Sequence, residues 1–174
     1  MQRINFKLVF LIIKYLSQQY KFSLTEALHG LAKVSWPGRI QLMPDGSIID
    51  GCHNPDGSAA LFESLSGIFP MEKYSIILGS FKDKDTDKIL AYLAPLATEF
   101  IFVQVTDGME RIGKNGQELI TLLRKHSSVP AVAVNNLDEA LKIKTLNRRL
   151  ITGSLYLAGE ALSKFIIKEK ILNI

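Results

Sequence analysis

One cysteine, one tryptophan and three histidines are all that this 174-residue chain holds of the residues that most often staple, stack or ligate. A single cysteine, Cys52, excludes an internal disulfide, and nothing argues for an oxidising compartment; the chain reads as cytoplasmic. His29, His53 and His126 are too far apart for zinc-ligand spacing, so no metal site is expected. No run is long enough to cross a bilayer, which takes about 20 apolar residues. The longest, Ile4–Leu16, is broken by Asn5, Lys7 and Lys14 and has no small-residue cleavage site, so it reads as a helix buried on several sides and not as an anchor or leader. The net charge of +4 comes from scattered basic residues. They form no stripe interleaved with aromatics, which argues against nucleic acid as a partner. Nowhere is there a G-x-x-x-x-G-K-[ST], the loop whose amides and lysine cradle nucleotide phosphates.

What is present fits a globular domain: 47% hydrophobic and 22% charged residues are enough for a core and a solvated surface. Helical spacing of Phe6, Val9, Phe10 and Ile13 predicts a helix over 2–19. Ser23 with Glu26 three residues on predicts a capping box opening a second helix over 24–34. Trp36-Pro37-Gly38 then opposes any continuation and marks a boundary. Ile40–Met43 and Ser47–Ile49 flank Pro44-Asp45-Gly46, a hairpin signal. Beyond it, strands at Ser75–Leu78, Phe100–Val105, Ala131–Val134 and Leu150–Thr152 alternate with helices near 55–68, 86–94, 116–126, 137–145 and 156–169. Such alternation predicts an α/β, Rossmann-like, mostly parallel sheet with helices on both faces, preceded by two helices.

The stretch "IIDGCHNP", Ile48–Pro55, carries the strongest local signal. Asn54 suits a helix N-cap and Pro55 the first helical position. Gly51 permits a tight strand-to-helix turn. The segment therefore leaves a strand at Asp50 and enters a helix at Pro55. Ligands of open parallel sheets bind beyond the carboxyl ends of the strands, where a helix start offers free amides and the positive end of its dipole. Two readings fit the remaining side chains. Asp50 either accepts bonds from a ribose diol or merely caps the turn; His53 either faces a ligand or is an ordinary loop residue. In both, Asn54 and Pro55 start the helix unaided, so replacing Asp50 or His53 is expected to change stability little.

"WPGRIQ" at Trp36–Gln41, "DGCHNP" at Asp50–Pro55, "DKD" at Asp83–Asp85 and "GSLYLAGE" at Gly153–Glu160 follow one another in the order and spacing of the folylpolyglutamate synthases, relatives of the Mur ligases, which this chain resembles over nearly its whole length. Met1-Gln2-Arg3-Ile4-Asn5 is also similar to the end of that family's "HQRxNA" segment. The resemblance implies an ATP-dependent amide ligase that adds L-glutamate to the γ-carboxylate of a folate through an acyl phosphate. It implies residues 1–35 as the end of a central ATPase domain, 36–41 as a linker and 42–174 as a Mur-ligase-type C-terminal domain.

Carried over residue by residue, the resemblance implies Asn5, Arg39 and Asp50 at ATP, and His53 and Ser154 at glutamate. Lys84 and Asp85 are further candidates, although "DKDTDK" also suits a plain solvated loop. ATP and Mg2+ are the implied cofactors, with Mg2+ held mainly by the P-loop part. Cys52 stands where the family usually has Ala, and the first helix is richer in Phe, Val and Ile than the family's alanine-rich one. Without a P-loop the chain is expected to be inactive alone and to need a P-loop half in trans. The alternative is a non-catalytic product of a split or decayed gene, or a weak nucleotide-binding module.

Overall fold

The computed structural model describes the backbone of residues 2–172 and the side chains of residues 6–165. It divides into two compact units, 1–36 and 37–174.

The first unit is a pair of helices, α1 (Gln2–Tyr20) and α2 (Leu24–Ala32). The Ser23 hydroxyl accepts the Glu26 amide at 3.3 Å. The reciprocal bond of a capping box is not formed among the described residues, so the box is half made. The expectation that α1 is buried on several sides is corrected. Phe6, Leu8, Leu11 and Tyr15 are each more than half exposed. They occupy successive turns on more than one side of the helix, more apolar surface than the single short helix α2 can cover. Among the described residues, no helix is long and apolar enough to cross a membrane.

The second unit is built on a six-stranded sheet in the order β1-β2-β6-β3-β4-β5. Its strands are β1 (Gln41–Leu42), β2 (Ile48–Ile49), β3 (Tyr74–Leu78), β4 (Ala97–Val103), β5 (Ala131–Val134) and β6 (Arg148–Thr152). β1 pairs antiparallel with β2 across the Pro44-Asp45-Gly46 turn, and all other pairs are parallel. Gly46 turns the corner at φ +84°. β4 stops at Val103, short of the expected Val105, because the chain folds back on itself through a bridge between Thr106 and Ile112.

Strand alternation assigns the core to two faces. Ile48, Ile76, Leu78, Phe100, Phe102 and Leu150 point to one, where α3 (Pro55–Ile68), α4 (Thr86–Leu93) and α5 (Gly116–Leu123) supply Leu61, Leu65, Leu90, Leu93, Leu119 and Leu123. Ile49, Ile77, Ile101, Val103 and Ile151 point to the other, covered by α6 (Leu137–Lys142) and α7 (Leu155–Leu172) through Leu137, Ala140, Leu157, Ala158 and Ala161. Each fully buried Leu or Ile contributes about 1.5–3 kcal/mol relative to exposure.

This arrangement sets the site. β2 runs into α3 on one face, while its neighbour β6 runs into α7 on the other. On the far side of β6, β3 again runs into a helix of the first face. The carboxyl ends of β2, β6 and β3 therefore flank a switch point, the place where open α/β sheets leave a crevice for ligands.

Candidate functional site at the carboxyl edge of the sheet

At the end of β2, the Asp50 amide continues the sheet by donating to Ile151 O at 3.0 Å. Its carboxylate then turns inward. Oδ1 accepts the Cys52 amide at 2.8 Å and Oδ2 the Ile40 amide at 2.9 Å, and the residue is only 5% exposed. The acid thus closes its own turn and also pins residues 38–41 to the sheet edge. Burial raises its pKa above the ordinary value; the bonds from Ile40 and Cys52 and the charge of Arg39 pull the other way without cancelling it.

The pinned segment is tightly shaped. Gly38, at φ +67°, donates its amide to Gln41 Oε1 at 2.9 Å and accepts the Gly51 amide at 2.8 Å. Ile40 sits at φ +45°, an outlier for a β-branched residue. Arg39, between them, is exposed, with its guanidinium close enough to lower the Asp50 pKa.

Asn54 caps α3 by accepting the Gly57 amide at 2.7 Å, with Pro55 in the first turn, as its sequence predicts. Gly51 keeps a negative φ, so the turn does not depend on glycine's conformational freedom there. His53 is half-buried, and its Nδ1 lies 3.0 Å from Gly51 O. A proton on Nδ1 satisfies that contact and leaves Nε2 as an acceptor.

The turn after β6 meets this one directly. Gly153 donates its amide to Cys52 O at 3.0 Å, and the Cys52 thiol lies 3.1 Å from Thr152 Oγ1 and 3.6 Å from Ser58 Oγ. Gly153 is required twice over: its φ is +96°, and a Cβ there would lie 2.6 Å from Gly79 O. Ser154 is 2% exposed and opens α7 with its Oγ accepting the Tyr156 amide at 3.2 Å. The hydroxyl proton stays free to donate.

The loop after β3 forms the third wall. Asp85 caps α4 through the Lys88 amide, and Lys84 pairs with Asp83 at 3.1 Å. Phe81 is 5% exposed and stands edge-on to the ring of Tyr156 at 5.5 Å, while the Arg111 guanidinium covers it at 4.3 Å and bonds Asp83 at 2.9 Å.

Six of the seven expected residues, Arg39, Asp50, His53, Lys84, Asp85 and Ser154, thus lie in the linker or in the turns at this one edge of the sheet. The seventh, Asn5, belongs to α1, and its side chain lies outside the described residues. The expectation that replacing Asp50 changes stability little does not allow for its bonds: Oδ1 holds the Cys52 amide two residues on, and Oδ2 the Ile40 amide ten residues back. Sequence reasoning missed Phe81, Arg111 and Lys114, whose contacts join segments about 30 residues apart and leave no local pattern. It took Gln41 as a strand residue, which it is, and did not foresee that its side-chain oxygen also accepts the Gly38 amide at 2.9 Å.

The family model for the Mur ligase, glutamate ligase domain, matches residues 38–154. A dihydrofolate synthase/folylpolyglutamate synthase of Bacillus subtilis is 28% identical over 163 residues, which cover 91% of this chain and 38% of that protein. A folylpolyglutamate synthase of Lacticaseibacillus casei is 28% identical over 162 residues, covering 91% of this chain and 37% of the relative. Among solved structures, a Mycobacterium tuberculosis folylpolyglutamate synthase complexed with ADP superposes with a TM-score of 0.73 at 25% identity, covering 83% of this chain and 35% of that one. A Thermotoga maritima folylpolyglutamate synthase gives 0.68 at 27% identity, covering 79% of this chain and 32% of that one. The chain spans about a third of the length of these relatives.

Proposed function

The chain belongs to the family of the Mur ligase glutamate ligase domain, and on that footing we propose that it is the glutamate-binding part of an ATP-dependent amide ligase of the folylpolyglutamate synthase kind. The observation that carries this reading is the junction of two turns, Asp50–Asn54 and Gly153–Ser154, held together by the Gly153 amide on Cys52 O at the switch point of the sheet. One turn offers the imidazole of His53 and the other the hydroxyl of Ser154, each beside the start of a helix. Free amides and the positive dipole end there favour a carboxylate. L-Glutamate fits: its carboxylates find hydrogen-bond donors, and Nε2 of His53 accepts from its ammonium group.

The linker supplies the nucleotide side. Arg39 is exposed and its planar fork suits phosphate oxygens. Asp50 serves that side through the linker, because its bonds to Ile40 and Cys52 hold the segment that carries Arg39. Relatives of this kind use ATP to activate a carboxylate, and the residues of this chain then position the attacking amine and neutralise charge, the terms that govern such acyl transfer. Among the described residues no three His, Cys, Asp or Glu side chains come together, and no step is routed through Mg2+.

A chimera tests the proposal. The 174-residue chain replaces the matching portion of the Bacillus subtilis relative, whose remainder supplies the P-loop, and incorporation of labelled glutamate into a folate is followed with ATP present. The chain without that remainder is the control. ATP-dependent incorporation by the chimera supports the reading; a folded chimera that incorporates none overturns it.

A further inference from the structure

We propose that Lys114 is a positioning residue for this site, a clasp that holds the Phe81–Asp85 loop in the shape that presents Lys84 and Asp85; its functional half rests on the ligase reading above. Lys114 lies in the segment after β4, and its ammonium donates to three backbone carbonyls, Phe81 O, Lys82 O and Lys84 O, each at 3.0 Å. Three donors meet three acceptors, which leaves the group no hydrogen to spare for a ligand. Its own amide donates to Ser80 O at 2.9 Å, and Phe81 bridges to Gly113. Lys114 is thus tied to the loop through both backbone and side chain.

The ends of the loop are fixed by buried Phe81 and by the Asp85 cap of α4. Between them its internal bonds are Lys84 N to Phe81 O at 3.2 Å, Thr86 N to Lys84 O at 2.8 Å, Thr86 Oγ1 to Lys84 O at 3.3 Å and the Ser80–Thr86 hydroxyl pair at 2.7 Å. The Lys84–Asp83 and Arg111–Asp83 ion pairs are solvated and add little by themselves. Lys114 is partly buried, which pulls its pKa below the ordinary value, while the charges of Glu118, Asp83 and Asp85 oppose that shift. A charge held in such a place is explained by the three carbonyls it gathers. The same clasp seats Phe81 against Tyr156, two residues beyond Ser154. An arginine could not substitute, because a planar fork cannot meet three carbonyls converging on one point.

Lys114→Met keeps the stem and removes the donors. By amide hydrogen exchange on the full chain, Lys84 and Thr86 should exchange at least about tenfold faster in this variant, with Phe102 in β4 unchanged. In the chimera, Lys114→Met should raise the glutamate KM about fivefold or more while moving the ATP KM less than about twofold, and Lys114→Arg should not restore it. Unchanged exchange at Lys84 and Thr86, or equal acceleration in β4, overturns the clasp. Local acceleration with an unchanged glutamate KM overturns the positioning role. A wild-type chimera that does not ligate overturns the ligase reading and the functional half with it, while exchange alone still decides whether the clasp exists.

Discussion

Asp50 holds Ile40: its Oδ2 accepts the Ile40 amide at 2.9 Å while Ile40 sits at φ +45°. A buried acid thereby keeps a β-branched residue in the left-handed region, a strain of about 1–3 kcal/mol, and fixes Arg39 beside it. Asp50→Ala should destabilise the 37–174 unit by about 2 kcal/mol, since it leaves the Ile40 and Cys52 amides without their acceptor. Urea unfolding of the full chain measures this. A change within about 0.5 kcal/mol would return Asp50 to the part of a dispensable turn residue.

The same burial has a consequence in pH. The Asp50 pKa is raised from its ordinary 3.8, foremost by desolvation. The folded chain therefore binds this proton more tightly than the unfolded one. The stability linked to it is fully present below pH 3.8 and is lost as pH rises through the higher folded value. Carboxyl carbon NMR should show Asp50 titrating above Asp83, Asp85 and Asp107, whose pKa values are lowered by their bonds. An Asp50 that titrates with or below them contradicts the burial described.

Gly153 is a point of close backbone approach at this edge of the sheet. At φ +96°, with a Cβ position 2.6 Å from Gly79 O, it admits no side chain without backbone movement. Gly153→Ala should cost about 2–4 kcal/mol, combining strain and overpacking. Thermal melting monitors it, and a melting point equal to the parent's would show that the two turns are not packed as described.

The first unit carries its apolar side chains in the open, with Phe6 at 55%, Leu11 at 60% and Tyr15 at 62% exposure. Exposed patches of that kind drive association. Deleting residues 1–34 should shift the chain toward monomer in size-exclusion chromatography and light scattering while the remainder stays folded. Unfolding of the remainder would place the boundary elsewhere than Trp36–Pro37.

The elements of the 37–174 unit were legible because strand and helix periods alternate cleanly and Asn54-Pro55 marks its helix start unaided. The carboxyl edge that carries the candidate residues was legible for the same reason, as a consequence of strand direction. The inward use of Asp50 was not. Nothing in "IIDGCHNP" says that its carboxylate will find Ile40, because that bond depends on the linker folding back through Gly38. The Lys114 clasp and the Cys52–Thr152 contact span about 30 and 100 residues and leave no local trace. Nor does the hydrophobic spacing of α1 say what covers it: periodicity marks an apolar face, and burial needs a partner.

The most direct test of the assignment is a crossed measurement in the chimera, with the KM for ATP and for glutamate determined separately for Arg39→Ala and His53→Ala. Loss of Arg39 should raise the ATP KM at least about tenfold, the worth of a charge-assisted bond to phosphate, and leave the glutamate KM within about twofold. Loss of His53 should do the reverse, with both variants melting within a few degrees of the parent. Unchanged constants for both substrates, or losses that follow unfolding alone, would contradict the account.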